Sequence, residues 1–442
     1  MTARVPAEDR ALREAERYLL GLELFGMRFG LDRVRRLLTA LGAPQERFAS
    51  VHVVGSNGKS STTRMVAALL SAHGLRAGSY LSPHLVSFNE RVRVEAHDVT
   101  PVRFAAAVDA ARRAAGKVDR TLAAGDRVTQ FEALTAAAFY ELAEARVDVA
   151  VVEAGLGGRW DATNVIGSRV QVLTNVGLEH TRWLGPTVTD IAAEKVDVVR
   201  PNGTLVVGPD LHPHARAVAE RVVAERAARL VVAPAAPPAG LRLRAAGTFQ
   251  RTNFALACAA AEAFLERPLD PAAVASAAAS TLVPGRFETV GERPLTILDG
   301  AHNPAGFVAL AASLREVLDG RRLIAVLSVL DDKDAAAMLS ELLPLCAEGI
   351  ATANAHPRTL PPATLRSLAA QLTAEDAPAP PVPGGVARSP SGVSLRVEPD
   401  PLRALAQARE LAGPGGVVLA TGSLYLLADL KRPAAAGPRS TL

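Results

Sequence analysis

Lysine is scarce in this chain of 442 residues. It supplies five of the 49 basic positions (Lys59, Lys117, Lys195, Lys333 and Lys431), and arginine supplies the rest. Arginine and lysine differ in shape, hydration and acidity, so each lysine position in such a background is informative. Cysteine is scarcer still. Cys258 and Cys346 stand in apolar, helical contexts without a C-x-x-C spacing. That excludes a disulfide scaffold, a redox pair and a zinc site, and predicts two reduced, buried side chains. No apolar run reaches the roughly 18 residues that cross a bilayer, and the opening MTARVPAEDR carries charge where a secretion signal needs an apolar core. No repeat of fixed period occurs. The expectation is a soluble, cytoplasmic protein without a membrane partner.

The rest of the composition is globular: 49% apolar and 21% charged residues, in a length suited to two or three domains. The net charge of +4 raises the question of nucleic acid. The arginines alternate with acidic residues, however, as in RALREAER at 10–17, which reads as a solvated helix face and not a nucleic-acid surface.

Strand-like and helix-like apolar periods alternate, the pattern of an α/β protein with a largely parallel sheet. Helices are expected at 8–23, 32–41, after Gly58 to Leu70, and from Thr129, where Thr129 and Glu132 form a capping box. Strands are expected at 51–54, 76–80, 147–153, 170–175 and 204–207. A break at Pro284-Gly285-Arg286 precedes a second strand–helix series with strands at 296–298, 323–327 and 417–420. This divides the chain into a larger domain (1–288), a smaller one (289–432) and a frayed tail (433–442), with the Pro/Gly-rich segment 377–392 as a surface loop.

Gly55-Ser-Asn-Gly-Lys-Ser-Ser61 follows a strand and opens a helix. Its glycines let backbone N–H groups curl around a polyphosphate, Lys59 can neutralise phosphate charge, and a hydroxyl can ligate Mg²⁺. The spacing is shorter than the common G-x-x-x-x-G-K-[ST], and the alternative is an ordinary glycine-rich turn. Glu153 ends a strand beside another glycine-rich turn, where open α/β sheets bind ligands, and His180 follows the next strand, so the two are expected at adjacent strand ends. Lys195 lies on a helix near this cluster, or is a surface lysine paired with Glu194 or Asp190. Leu298-Asp-Gly-Ala-His-Asn-Pro304 repeats the strand–cluster–helix order, making Asp299 or His302 a candidate to face a nucleotide. Asp331-Asp-Lys-Asp334 reads equally as function or as a solvated turn with a helix cap.

Eleven stretches, in family order from Phe29 to Leu430, resemble the folylpolyglutamate synthase/dihydrofolate synthase family of the Mur-ligase superfamily. They are FGLDRV (29–34), HVVGSNGKSS (52–61), LSPHLVSFNERVRV (81–94), TQFE (129–132), VEAGLGGRWDATN (152–164), GLEHTRWLG (177–185), AEK (193–195), PGRFE (284–288), LDGAHNP (298–304), DKD (332–334) and GSLY (422–425). The resemblance implies a P-loop-containing, parallel-sheet ATPase domain followed by a smaller Rossmann-like α/β domain. It implies an ATP-dependent ligase that joins L-glutamate to dihydropteroate or a reduced folate through an acyl phosphate. Gly58, Lys59, Ser60, Ser61, Asn253, Arg286 and Asp299 would hold ATP. Ser82, Glu153 and His180 would ligate Mg²⁺, with a monovalent cation as an option. Lys195 would carry a carbamate, and His302 is a candidate to accept the amine proton. The pterin would lie against Phe29, Gly30, Leu31 and Asp32; Thr129, Gln130, Phe131 and Glu132; and Trp160, Asp161 and Ala162. A monomer is expected. Three departures stand out: Ser60 where the family usually has Gly, Trp160 for a usual Leu, and Val196-Asp197 for Ala-Gly, which would place Asp197 near the carbamate. The alternatives are a peptidoglycan-precursor amino-acid ligase, for whose extra N-terminal domain a loop at Gly55 leaves little room, and a non-ligase P-loop ATPase.

Overall fold

The computed structural model describes residues 7–23, 30–375 and 393–432. Phe29, the 377–392 segment and the 433–442 tail lie outside the described residues. The chain forms two compact units. One comprises the described residues up to Arg244 together with Gln250–Leu282; the other comprises Ala245–Phe249 and the chain from Val283 onward.

The first unit is built on eight strands: β1 Ala49–Val54, β2 Ala77–Tyr80, β3 Val92–Val94, β4 His97–Asp98, β5 Val149–Glu153, β6 Val170–Leu173, β7 Thr204–Val207 and β8 Arg229–Val232. Their order is β4-β3-β2-β5-β1-β6-β7-β8. The central strands are apolar on both faces, and β5 and β6 are buried throughout. Such runs require helices on both sides and favour parallel pairing by crossover. Only the β2-β3-β4 edge is antiparallel. β1 pairs with β5 and β6 at once, in a register that sets Val53 opposite Glu153 and Val54 opposite Leu173. The loop leaving β1 therefore emerges between the ends of β5 and β6. This corrects the expectation that Glu153 and His180 follow adjacent strands.

Helix Gln130–Glu144 opens with the anticipated Thr129/Glu132 capping box. Helices Thr248–Leu265 and Pro271–Ser280 were not legible in the sequence, because alanine-rich segments carry too weak a 3.6-residue stripe. No helix among the described residues is long and apolar enough to cross a membrane.

Among its described residues the second unit has six strands: β9 Glu288–Glu292, β10 Leu295–Leu298, β11 Leu323–Leu327, β12 Glu348–Ala351, β13 Leu395–Val397 and β14 Val417–Thr421. They are ordered β13-β12-β11-β14-β10-β9, parallel except for the β9–β10 edge. The chain is thus two α/β units on mixed, mainly parallel sheets. Cys258 lies in a helix but is only half-buried; Cys346 is buried after the short turn Leu343–Leu345 and not inside a helix.

Candidate active site

The loop after β1 is shaped by two glycines. Gly55 has φ +148°, and a Cβ there would lie 1.9 Å from Thr174 Oγ1; Gly58 has φ +82°, and its Cβ would lie 2.6 Å from Asn253 Oδ1. Both need a left-handed backbone and a close approach that only glycine allows. The segment after β6 fastens the loop from the other side. Asn175 O accepts from Ser56 N at 3.0 Å, Asn175 Oδ1 accepts from Asn57 N at 2.8 Å, and Thr174 Oγ1 donates to Asn57 O at 2.6 Å. Lys59 Nζ folds back onto the carbonyls of Gly55 at 2.9 Å and Ser56 at 3.2 Å. The arrangement is a preformed cradle at the N-terminus of helix Lys59–Ala72, with Asn253 beside it.

Glu153, 1% exposed at the end of β5, is oriented by two donors. Ser60 Oγ donates to its Oε1 at 2.8 Å and Ser82 N to its Oε2 at 3.0 Å. The turn that carries Ser82 is itself fixed. Arg91 Nη1 donates to Ser82 Oγ at 3.4 Å and Arg91 Nε to His84 Nδ1 at 2.9 Å, and Glu90 accepts from the backbone N–H groups of Leu85, Val86 and Ser87. The structure thus brings Ser60, Ser82 and Glu153 together. His180 caps the short helix Thr181–Leu184 in a left-handed conformation and is exposed. Among the described residues no group of three or more His, Cys, Asp or Glu forms a metal cluster.

Lys195 is buried, not at the surface, and its partner is neither Glu194 nor Asp190. Its Nζ donates to Glu179 Oε1 at 2.9 Å and to Gly55 O at 3.0 Å. Burial pushes the Lys195 ammonium below its usual range, against the pull of Glu179. Burial would also raise Glu179, but the Lys195 and Lys59 ammonium groups outweigh it and hold that carboxyl at about 2. The short contact between opposite charges favours the ionised pair.

In the second unit, Asp299 follows β10 and accepts from Phe287 N and Ala301 N, both at 2.8 Å. Burial raises its pKa, opposed by Arg286. Arg286 lies against Gly300, where a Cβ would come within 2.5 Å of its Nη1. His302 Nδ1 is 2.8 Å from Gly300 O. A carbonyl can only accept, so Nδ1 carries the proton and Nε2 is the basic nitrogen of the neutral ring. Asp334 caps helix Ala335–Leu342, while Asp332 is held below the usual carboxylate range: burial would raise it, and Lys333 and Arg358 prevail.

The second unit matches the family model described as Mur ligase, glutamate ligase domain, over residues 285–424. Over 96% of its length this chain is 31% identical to the dihydrofolate synthase/folylpolyglutamate synthase of Bacillus subtilis, of which 99% is covered. The chain belongs to the dihydrofolate synthase/folylpolyglutamate synthase family. Two solved family structures superimpose on it. The Mycobacterium tuberculosis folylpolyglutamate synthase, complexed with ADP and AMPPCP, matches at TM-score 0.85 and 31% identity over 96% of this chain and 98% of that one. The bifunctional enzyme from Yersinia pestis, complexed with AMPPNP and Mn ion, matches at TM-score 0.81 and 29% identity over 97% and 98%.

Within this dihydrofolate synthase/folylpolyglutamate synthase fold, the residues expected at the pterin divide into two sets. Leu31, Thr129, Gln130, Glu132, Asp161 and Ala162 are buried. Glu132 accepts from Arg33 Nε at 3.1 and 3.2 Å and from Thr129 N at 2.9 Å, and Gln130 Nε2 donates to Leu19 O at 2.9 Å. Asp161 accepts from Leu156 N at 2.8 Å and Thr163 N at 3.0 Å; burial raises its pKa. These side chains shape the walls. Gly30, Asp32, Phe131 and Trp160 are the reachable members, with Trp160 46% exposed and the Phe131 ring lying on Gly155. Asp197 pairs with Arg226 at 2.6 Å and Arg159 at 3.5 Å, so its carboxylate is engaged away from the Lys195 amine. Reading the sequence alone did not single out Glu179, Thr174, Asn175, Arg33 or Arg91. Arg33, Arg91 and Glu179 lie inside the motifs, and Thr174 and Asn175 just before one, but nothing local identifies their partners.

Proposed function

We propose that this chain is an ATP-dependent ligase that joins L-glutamate to a folate-type carboxylate, either dihydropteroate or an existing reduced folate. The observation that carries this reading is one constellation: a glycine-shaped phosphate cradle with Lys59 at its mouth and Glu153 held beside it by Ser60 and Ser82. The substrate carboxylate attacks the γ-phosphorus of ATP, the bond to the bridging oxygen breaks, and ADP leaves. The glutamate amine then attacks the acyl carbon of the acyl phosphate. Inorganic phosphate departs, and the nitrogen loses a proton to form the amide.

Both reactants of the first step are anionic, so the physical task is charge neutralisation and alignment. Lys59 leaves its two loop carbonyls for the phosphates, and the cradle N–H groups and Asn253 position them; Arg286 and Asp299 are further proposed nucleotide contacts, as the family resemblance implies. His302 Nε2 is the proposed acceptor of the amine proton. Phe131 and Trp160 offer the reachable aromatic surface for the pterin. The donor set of Glu153 and Ser82 is hard oxygen, which suits Mg²⁺, with His180 as the further proposed ligand. When bound, the ion supplies charge neutralisation of the β- and γ-phosphates. For Lys195 we propose a loaded, carboxylated state: once the ammonium leaves Glu179 and gives up a proton, the neutral amine that burial favours adds to the carbon of CO₂ and the nitrogen loses a second proton, leaving the anionic carbamate. The protein acts as a monomer in this reading.

ADP release by the purified protein with ATP, Mg²⁺ and glutamate, compared with dihydropteroate and tetrahydrofolate, tests the reading and sorts the two substrates. Lys59→Ala should abolish it. Full glutamate-dependent ADP release by Lys59→Ala, or release stimulated by nucleic acid and not by folates, overturns it.

A further inference from the structure

We propose that Ser60 is a positioning residue of the divalent-cation site, its hydroxyl holding the Glu153 carboxylate in the orientation that a cation beside the phosphate loop requires. The inference deepens the reading above and rests on it for the cation's role. Glu153 stands at the end of a fully buried strand, where an unguided carboxylate would rotate among several orientations. Two donors prevent this, one on each oxygen: Ser60 Oγ at 2.8 Å and Ser82 N at 3.0 Å. They differ in kind. The Ser82 donor is backbone and survives any substitution there, whereas the Ser60 donor depends on a side chain that this chain has at a position where glycine is usual in the family it resembles.

Ser60 is also the residue after Lys59, in the first turn of helix Lys59–Ala72. The same rigid backbone therefore places the phosphate-binding ammonium and the donor that aims Glu153. Ser61, by contrast, is buried at 2% exposure and stands one residue further round the helix. Hydrogen bonds that orient a metal-binding carboxylate are commonly worth an order of magnitude or more in metal affinity.

The test uses Mn²⁺ as probe, titrated into the purified full chain with and without ADP and followed by electron paramagnetic resonance. ADP affinity is measured separately in the presence of a chelator. Ser60→Ala and Ser60→Gly should weaken Mn²⁺ binding about tenfold. Ser60→Thr, which keeps the hydroxyl, should restore it to within about twofold, and in Ser60→Ala and Ser60→Gly the metal-free ADP affinity should fall by a smaller factor than the Mn²⁺ affinity. The proposal is overturned if Ser60→Ala binds Mn²⁺ as tightly as the parent, or if metal-free ADP binding falls by the same factor as Mn²⁺ binding, since the substitution would then have damaged the cradle itself. The titration requires neither folate nor glutamate. A parent protein that binds Mn²⁺ through Ser60 but releases no glutamate-dependent ADP would refute the proposed function and leave this inference standing.

Discussion

Replacing Arg33 by methionine leaves a carboxylate in the interior without its cation. Arg33 and Glu132 are 9% and 6% exposed, the Arg33 Nε lies 3.1 and 3.2 Å from the two Glu132 oxygens, and Nη1 lies 3.5 Å from Asp126. The residues are 99 positions apart. Arg33 therefore ties the helix that follows Leu31 to the capping box at Thr129, two of the segments proposed to flank the pterin. Methionine keeps most of the buried stem and removes only the charge and its fork of donors. Glu132 would retain its bonds from Thr129 but lose its counter-ion, and breaking one side of a buried pair costs about 3–5 kcal/mol. At about 2–4 °C per kcal/mol for a unit of this size, the melting temperature should fall by about 6–12 °C at the lower figure. Thermal and urea unfolding followed by circular dichroism measure it. Arg33→Met/Glu132→Leu should recover most of the loss, because the more deeply buried carboxylate goes with its cation and only the partly exposed Asp126 loses a partner. In steady-state assays the single variant should raise KM for the folate substrate while leaving KM for ATP unchanged. A loss below about 1 kcal/mol, the range of an exposed pair, would refute the reasoning. So would a double variant as unstable as the two single variants summed.

Gly58→Ala should weaken ADP binding about five- to thirtyfold, since alanine at φ +82° costs roughly 1–2 kcal/mol and its methyl would sit 2.6 Å from Asn253 Oδ1; calorimetric titration returning the parent affinity would contradict this. His52 is fully buried against Thr163, and burial, with a smaller contribution from Arg200, holds it at about 3 against an ordinary 6.5. The unfolded chain protonates it below about 6.5 while the folded chain does not. Stability is therefore lost as pH falls from that value toward about 3, amounting to about 2 kcal/mol between about pH 7.5 and 5. His52→Gln should show a correspondingly shallower dependence in urea melts, and an identical slope would count against the assignment. Burial pushes both Cys258 and Cys346 thiols up to about 12, so neither should react with a thiol reagent near pH 8 until the protein is unfolded. Rapid labelling of the native protein would show that these sites open readily.

The features legible from the residues were those set by neighbours in sequence. The Thr129/Glu132 capping box, the β1–loop–helix unit around Lys59, and strand β7 at 204–207 were read at or near their observed bounds. Period and cap chemistry act over three or four residues, so a one-dimensional pattern carries them. The strands closest to the edges and the alanine-rich helices were not legible, because β3 and β4 are too short and Thr248–Leu265 too uniformly apolar to show a period.

By itself the sequence determined which residue types were available for chemistry: a lysine in a glycine turn, a glutamate at a strand end, and a second lysine in an arginine-rich chain. The tertiary structure decided which of them meet. Strand order places β1 between β5 and β6, so Glu153 and the Thr174–Gly177 segment reach the same loop from opposite sides. It buries Lys195 against Glu179 and Gly55, gives Asp197 to Arg226, and turns Glu132 toward Arg33. Those choices depend on pairings between residues up to 140 positions apart, which follow from parallel crossovers and close packing and leave no local trace in the chain.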